Sequence, residues 1–169
     1  MALPVYSSLD VQVSWNGVPL DGLAPDSFVV FSRNTDLTDE EVGASGDLSI
    51  SILPDKTGTC TISLQQNSRS NLILSGALLA QEQSGTLIRG ALSIADPSGS
   101  VLALLTGAHL KKSPEVGLGS SASGKTRDWV FFCEFMQFTS APSGLATAVS
   151  QSAQVAGALG GLQANGLLA

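Results

Sequence analysis

Charge, histidine and cysteine are all scarce in this chain. Of 169 residues 13% are charged, and there is one histidine, His109, and two cysteines, Cys60 and Cys133. A lone histidine excludes a histidine-rich metal site, and no Ser, His and acid spacing points to a nucleophilic triad. No cofactor and no catalysis are expected. Two cysteines are too few for a disulfide framework; both sit in alternating apolar runs, which predicts buried free thiols. Eight basic against fourteen acidic residues give a formal charge of -6, so no surface built to grip nucleic-acid phosphates is expected. No stretch approaches the roughly 18 uninterrupted apolar residues of a membrane helix, and MALPVYSS lacks the basic and apolar regions of a signal peptide. A cytosolic chain without membrane insertion is the expectation. Its length suffices for one core of ordinary size without metal or disulfide support.

What the sequence does contain is short apolar runs punctuated by Gly, Pro, Asn and Asp as far as Phe138, the texture of an antiparallel sheet protein. Leu9, Val11, Val13 and Trp15 recur at period two and predict a half-buried strand, with turn formers at Asn16-Gly17 and Asp21-Gly22. SFVVFS, 27–32, reads as a second strand. DLSISIL, 47–53, alternates Leu48, Ile50 and Ile52 with Ser49 and Ser51. TCTISLQQ repeats the scheme, and the intervening PDKTG predicts that the two pair as a hairpin spanning 47–66. ALSIADPSGSVLALL predicts a further hairpin about Asp96-Pro97-Ser98-Gly99. DWVFFCEFMQF, 128–138, carries apolar residues on both faces, as a covered central strand does. One helix is expected over 68–83, opened by serines and ended at Gly85. From Thr139 onward there is neither charge nor aromatic ring. A segment dominated by Ala, Gly, Ser and Leu cannot build a core alone. Its weak apolar spacing, Leu145, Val149, Val155, Leu159 and Leu162, suits a helix or an extended arm laid on another surface. The expected division is a β domain over 1–138 and a low-complexity extension over 139–169.

GSSASGKT, 119–126, has the spacing of a phosphate-binding loop. Such a loop needs a buried strand before it and a helix after it, because its amides and the helix N-terminus hold the phosphates together. Here LKKSPEVGL precedes it, broken by Pro114 and Gly117, and RDWVFFCEF comes after it, which reads as strand. A small nucleotide hydrolase is thus the third-ranked reading. DLTDEE, 36–41, lacks the glycine and alternating ligands of a calcium loop; it reads as a solvated acidic loop, with a docking patch for a basic partner as the sharper alternative. Trp129 could stack on a sugar or base, but its place at the head of an apolar strand favours the core.

YSSLDVQVSWNG at 6–17, GASGDLSISILPDKTGTCTISLQQNSRSN at 43–71, and KKSP at 111–114 with TRDW at 126–129 resemble the tail tube proteins of long-tailed phages. The likeness covers roughly residues 6–138, and its most specific part is Lys56-Thr57-Gly58, the alternating strand after it, and Ser68 and Asn71 at the helix start. The resemblance implies an all-β fold, an antiparallel sandwich or barrel with one flanking helix, whose copies form hexameric rings stacked into a tube. It implies a virion protein assembled in the host cytoplasm that passes DNA only in transit. Its partners would be copies of itself and tail proteins such as sheath, baseplate or terminator. Ser49, Ser51, Thr59, Thr61, Ser63 and Gln65 would then face the lumen, since small uncharged groups on an acidic protein let a polyanion slide. A basic loop over 109–127, carrying Lys111, Lys112, Lys125 and Arg127, would meet a neighbouring subunit, with Asp36, Asp39, Glu40 and Glu41 as candidate counterparts. A β-sandwich binding or adhesion module of the virion is the second reading. It needs exposed aromatic rings, and aromatic residues make up only 5% of the chain, mostly within apolar strands.

Overall fold

A computed structural model of the chain describes residues 7–96, 101–118 and 125–140. In chain order the elements are β1 (Gln12–Trp15), β2 (Val18–Pro19), β3 (Val29–Arg33), β4 (Thr38–Val42), β5 (Leu48–Ile52), β6 (Gly58–Gln65), α1 (Ser70–Ser84), β7 (Gly90–Asp96), β8 (Val101–Lys112), β9 (Thr126–Cys133) and β10 (Phe135–Ser140). All strand pairs are antiparallel, and the strands run in the order β2-β1-β7-β8-β9-β6-β3, with β10 also on β8. This is the expected all-β fold with one helix.

The sheet folds into two facing layers because β8 serves both. Its first half pairs with β7 and β10; its second half pairs with β9, which continues to β6 and β3. The change falls at Gly107, whose φ of 65° places it in the left-handed region, and opposite it Glu134 separates β9 from β10. The Glu134 N–H donates to the Thr106 carbonyl at 3.1 Å, and a Cβ on residue 107 would meet the Glu134 side chain at 2.8 Å. Glycine is required there on both counts. The run 128–138 is therefore two strands with a break at Glu134, not one: the buried set is Trp129, Phe131 and Cys133 on β9 and Met136 on β10, and Val130 and Phe132 lie on the outer face of β9.

Between the layers lies the core. Trp15 meets Phe131 edge to face with centroids 5.5 Å apart, and its indole N–H donates to the Ala108 carbonyl at 3.3 Å. Along β6, Gly58, Cys60, Ile62 and Leu64 point inward, and Cys60, Ile62 and Leu64 are fully buried. Both cysteines are free and buried, as their runs predict; burial pushes the Cys60 thiol up to about 12 and the Cys133 thiol to about 11.

Three local expectations are corrected. Leu9 lies in a 3-10 turn, Ser8–Asp10, and is 93% exposed, so the first strand is shorter than its period-two pattern. The second correction is that β5 does not pair with β6: it pairs with β4, Val42 facing Leu48 and Thr38 facing Ile52, in a two-stranded sheet of its own. Lastly, Lys111 and Lys112 end β8 and Arg127 lies in β9, so the strands take in 109–112 and 126–127 of the expected 109–127 loop. The Asn16-Gly17 turn (φ 52° and 77°), the β7–β8 hairpin and the helix end at left-handed Gly85 are as expected; Pro97, Ser98 and Gly99 lie outside the described residues.

Candidate functional site

Three surfaces have a composition that a solvated domain does not require. The first is the β4–β5 hairpin, every residue of which is exposed. Residues directly opposite in an antiparallel pair share a face. One face thus holds Val42, Leu48, Ile50 and Ile52 with Thr38 and Glu40; the other holds Asp39, Glu41, Ser49 and Ser51. Ile52 is 84% exposed and Ile50 59%. An isolated two-stranded hairpin is marginal in water, and contiguous exposed apolar groups mark an interaction surface. DLTDEE is accordingly not a solvated loop throughout, since Thr38 to Glu41 form most of β4. The turn that closes it is legible in GASG: the Gly43 N–H donates to Asp47 at 2.8 Å and the Gly46 N–H to Gly43 at 2.9 Å.

The outer face of β6 is the second surface. Thr59, Thr61, Ser63 and Gln65 alternate with the buried set, as expected, but Ser49 and Ser51 are on the separate hairpin and do not join them. Thr61 lies between Val30 and Val130, and Thr59 between Ser32 and Phe132. The Thr59 hydroxyl donates to Asn34 at 2.7 Å and the Ser63 hydroxyl to Asp128 at 2.6 Å. The Lys111 ammonium stands 5.8 Å from the Phe132 ring centroid. The face thus joins small hydroxyl and amide groups to Val30, Val130 and Phe132, with one carboxylate, Asp128, from β9 and two lysines at the end of β8, Lys111 over Phe132 and Lys112 opposite Val130.

The third surface is the segment 113–125 and the cations around it. Of GSSASGKT, residues 119–124 lie outside the described residues; Lys125 is followed directly by strand β9, not by a helix. A cavity of about 290 Å³ there is lined by Glu115, Gly117, Lys125, Thr126 and Asp128. Two carboxylates beside the one lysine make it a poor cradle for a phosphate. Lys111 and Lys112 close β8 at the other side of this segment, and Arg127 faces Leu64 in the β9–β6 register. Asp36, Asp39, Glu40 and Glu41 are all exposed on or beside the hairpin. Among the described residues no group of three or more His, Cys, Asp or Glu is placed to hold a metal, and no helix is long and apolar enough to cross a membrane.

Around these surfaces the motif residues have structural tasks. Trp129 is 1% exposed, and its indole N–H donates to the Asn71 side-chain oxygen at 2.9 Å, so the core reading holds. The Asn71 amide donates in turn to the Gln65 carbonyl at 2.8 Å, tying helix start, β6 and β9 together. The Ser68 hydroxyl donates to the Asp21 carbonyl at 2.6 Å, and Ser70 accepts the Asp21 N–H at 2.8 Å. In Lys56-Thr57-Gly58, the Lys56 carbonyl accepts the Met136 N–H at 3.0 Å, and a Cβ on residue 58 would meet the Ser32 carbonyl at 3.1 Å and the Met136 Cβ at 3.2 Å. The Thr57 N–H and the Thr35 hydroxyl hold the neighbouring Asp55 carboxyl below the usual carboxylate value. Sequence reasoning could not see the Asn71–Trp129 pair, because 58 positions separate its members. We expect Asn71→Ala to leave the buried indole N–H unpaired at a cost of about 1–3 kcal/mol. Thermal unfolding followed by circular dichroism should show a lower Tm, by roughly 2–4 °C per kcal/mol in a chain of this size.

The fold recurs among solved structures. It superposes on the tube-terminating cap of the anti-feeding prophage with a TM-score of 0.56 at 12% identity, over 83% of this chain and 95% of that one. A chain of the extended sheath–tube complex of the PVC extracellular contractile injection system matches with a TM-score of 0.53 at 12% identity (83% and 93%). A chain of its sheath/tube terminator matches at 0.53 and 9% identity (83% and 99%). No curated protein matches in sequence. The model of the bacteriophage PhiTE tail tube protein family matches residues 5–139, and the chain belongs to that family.

Proposed function

We propose that this chain is the repeating subunit of a phage tail tube, a structural protein without catalysis whose copies close into six-membered rings that stack into a conduit for the genome. The family match supports the tube, and the β4–β5 hairpin is the observation that carries the assembly. Its apolar face, Val42 with Leu48, Ile50 and Ile52, has no cover among the described residues, while its acidic face keeps it soluble until it meets a neighbour. An open stack needs a heterologous contact, in which one face of a ring fits the opposite face of the next. The hairpin supplies one half of such a contact. Lys111, Lys112, Lys125 and Arg127 are the cations that Asp36, Asp39, Glu40 and Glu41 of an adjacent copy would meet.

In this reading Thr59, Thr61, Ser63 and Gln65 line the lumen, and DNA touches them only in passing. Sheath, baseplate or terminator proteins are the further partners, and the working location is the virion tail, with assembly in the host cytoplasm. Negative-stain electron microscopy of the purified chain tests this directly. Tubes or six-membered rings are the expected result; monodisperse single subunits at every concentration and salt would overturn it in favour of a virion binding module.

A further inference from the structure

Among the described residues a cavity opens between the two layers. It measures about 430 Å³ and is lined by Val29, Phe31, Ile94 and Val101 together with the carboxylates Asp26 and Asp96. Its floor is continuous with the core: Ile94 is a core residue, and Val29 and Phe31 pack against the core while remaining partly exposed. The described chain ends at this opening. Ser140, the last residue of β10, lies opposite Val101 in the register, and Phe138, 60% exposed, packs edge to face on Phe31 with centroids 5.9 Å apart. The family match stops at residue 139. β10 takes in Thr139 and Ser140, the first two residues of the extension expected at 139–169; the remainder, 141–169, carries no charge and has Leu145, Val149, Val155, Leu159 and Leu162 among small residues.

We propose that the extension 141–169 turns back on its own chain and seats apolar side chains, Leu145 and Val149 first, in the open end of the sandwich beside Phe31 and Phe138. The reach is sufficient: five residues from Ser140 to Leu145 span roughly 17 Å when extended, more than the ~10 Å between packed sheets. An uncharged segment brings no further ion into a cleft that is apolar along Val29, Phe31, Ile94 and Val101 and already carries two carboxylates at its wall. Tethering at the mouth keeps it at an effective concentration in the millimolar range, which a free partner would have to match. Of the two carboxylates, Asp26 is exposed and Asp96 half-buried. A second copy of the chain, a lysine-bearing segment of another protein, and the short apolar stretch before Ser7 are the rival occupants. The docking belongs to the single chain and does not depend on tube formation.

Two measurements decide it. The first compares Nile red emission from the full-length chain, a chain ending at Ser140, and full-length Leu145→Asp/Val149→Asp, in fractions of equal size whose circular dichroism is the same. Emission should rise several-fold for the last two and fall again when a synthetic 141–169 peptide is added to the truncated chain. Equal emission from all three overturns the proposal, as does an equal rise on deleting residues 2–6 alone. The second places Ser27→Cys, on the cavity wall, with Thr147→Cys in the extension and applies a mild oxidant. Cys60 and Cys133 are buried with raised thiols, so the introduced pair is the reactive one. A cross-link at monomer mass is expected. A cross-link only between chains, or none with the partner cysteine at any of positions 144–150, would mean that something else occupies the cleft.

Discussion

Purified Ile50→Asp chain should be folded and soluble and should form no tubes. Ile50 is the middle residue of the hairpin's apolar face, opposite Glu40 and flanked by Leu48 and Ile52. Burying a side chain of this size contributes about 1.5–3 kcal/mol. An aspartate there forfeits that term and brings an unpaired carboxylate into an apolar contact, a further penalty of several kcal/mol. Each 1.4 kcal/mol is a factor of about ten in association, so even a partly buried contact weakens by a hundredfold or more. The loss recurs at every subunit of every ring. In the single chain the new carboxylate faces Glu40, a like-charge pair that costs the hairpin up to about 1 kcal/mol, but residue 50 is exposed and among the described residues β5 pairs with β4 alone, so the sandwich is untouched. Circular dichroism and Tm should therefore stay near those of the parent while sedimentation and micrographs show only small species. Ile50→Leu should polymerise. Normal tubes from Ile50→Asp would remove the hairpin from the stacking contact.

That hairpin also marks where sequence and structure part. Leu48, Ile50 and Ile52 alternate with serines as a core-facing strand does, and alternation specifies two faces without saying what covers either. With PDKTG downstream, the nearest strand of like pattern is 58–65; the true partner, Thr38–Val42, is acidic and carries little apolar signal of its own. The Gly43–Gly46 turn between them is the local clue. The single strand expected at 128–138 fails for a related reason: the break at Glu134 answers to Gly107, on a different strand. Local features fare better. The Asn16-Gly17 turn, the β7–β8 hairpin, the helix with its Gly85 end and the buried cysteines all derive from adjacent residues. The outward alternation of Thr59, Thr61, Ser63 and Gln65 is readable too, because β6 is long and its inner set, Cys60, Ile62 and Leu64, is wholly apolar. Their neighbours Val30, Val130, Phe132 and Asp128 come from strands whose order no local pattern specifies.

With the β6 face lining the lumen, as proposed, Thr61→Lys should slow genome delivery at low salt while Ser63→Lys should do so far less. Thr61 lies between Val30 and Val130, so a lysine stem can lie along apolar groups and hold its ammonium outward with no acid opposite it in the register. Ser63 is hydrogen-bonded to Asp128 at 2.6 Å, and a lysine there would be neutralised locally. A six-membered ring of Thr61→Lys subunits adds about six cations per ring, and DNA presents one phosphate charge per about 1.7 Å of helix axis. Each ring then gains cations beyond the Lys111 and Lys112 that the parent already carries at the β8 side of this face, and so a stronger counterion-releasing site. A protein that makes 6–10 phosphate contacts loses about 10³–10⁵ in affinity between 50 and 200 mM salt, so the delay should vanish across that range. Thr61→Gln, polar and uncharged, should deliver DNA at the parental rate throughout. Tubes of all three variants should assemble, because the hairpin and the segment 113–125 are untouched. Release of DNA from variant particles, timed by a DNA-binding dye over a salt series, reads the effect directly. Parental rates for Thr61→Lys at low salt would place the β6 face away from the lumen, and a delay that does not respond to salt would mean that the lysine obstructs the channel without holding phosphates.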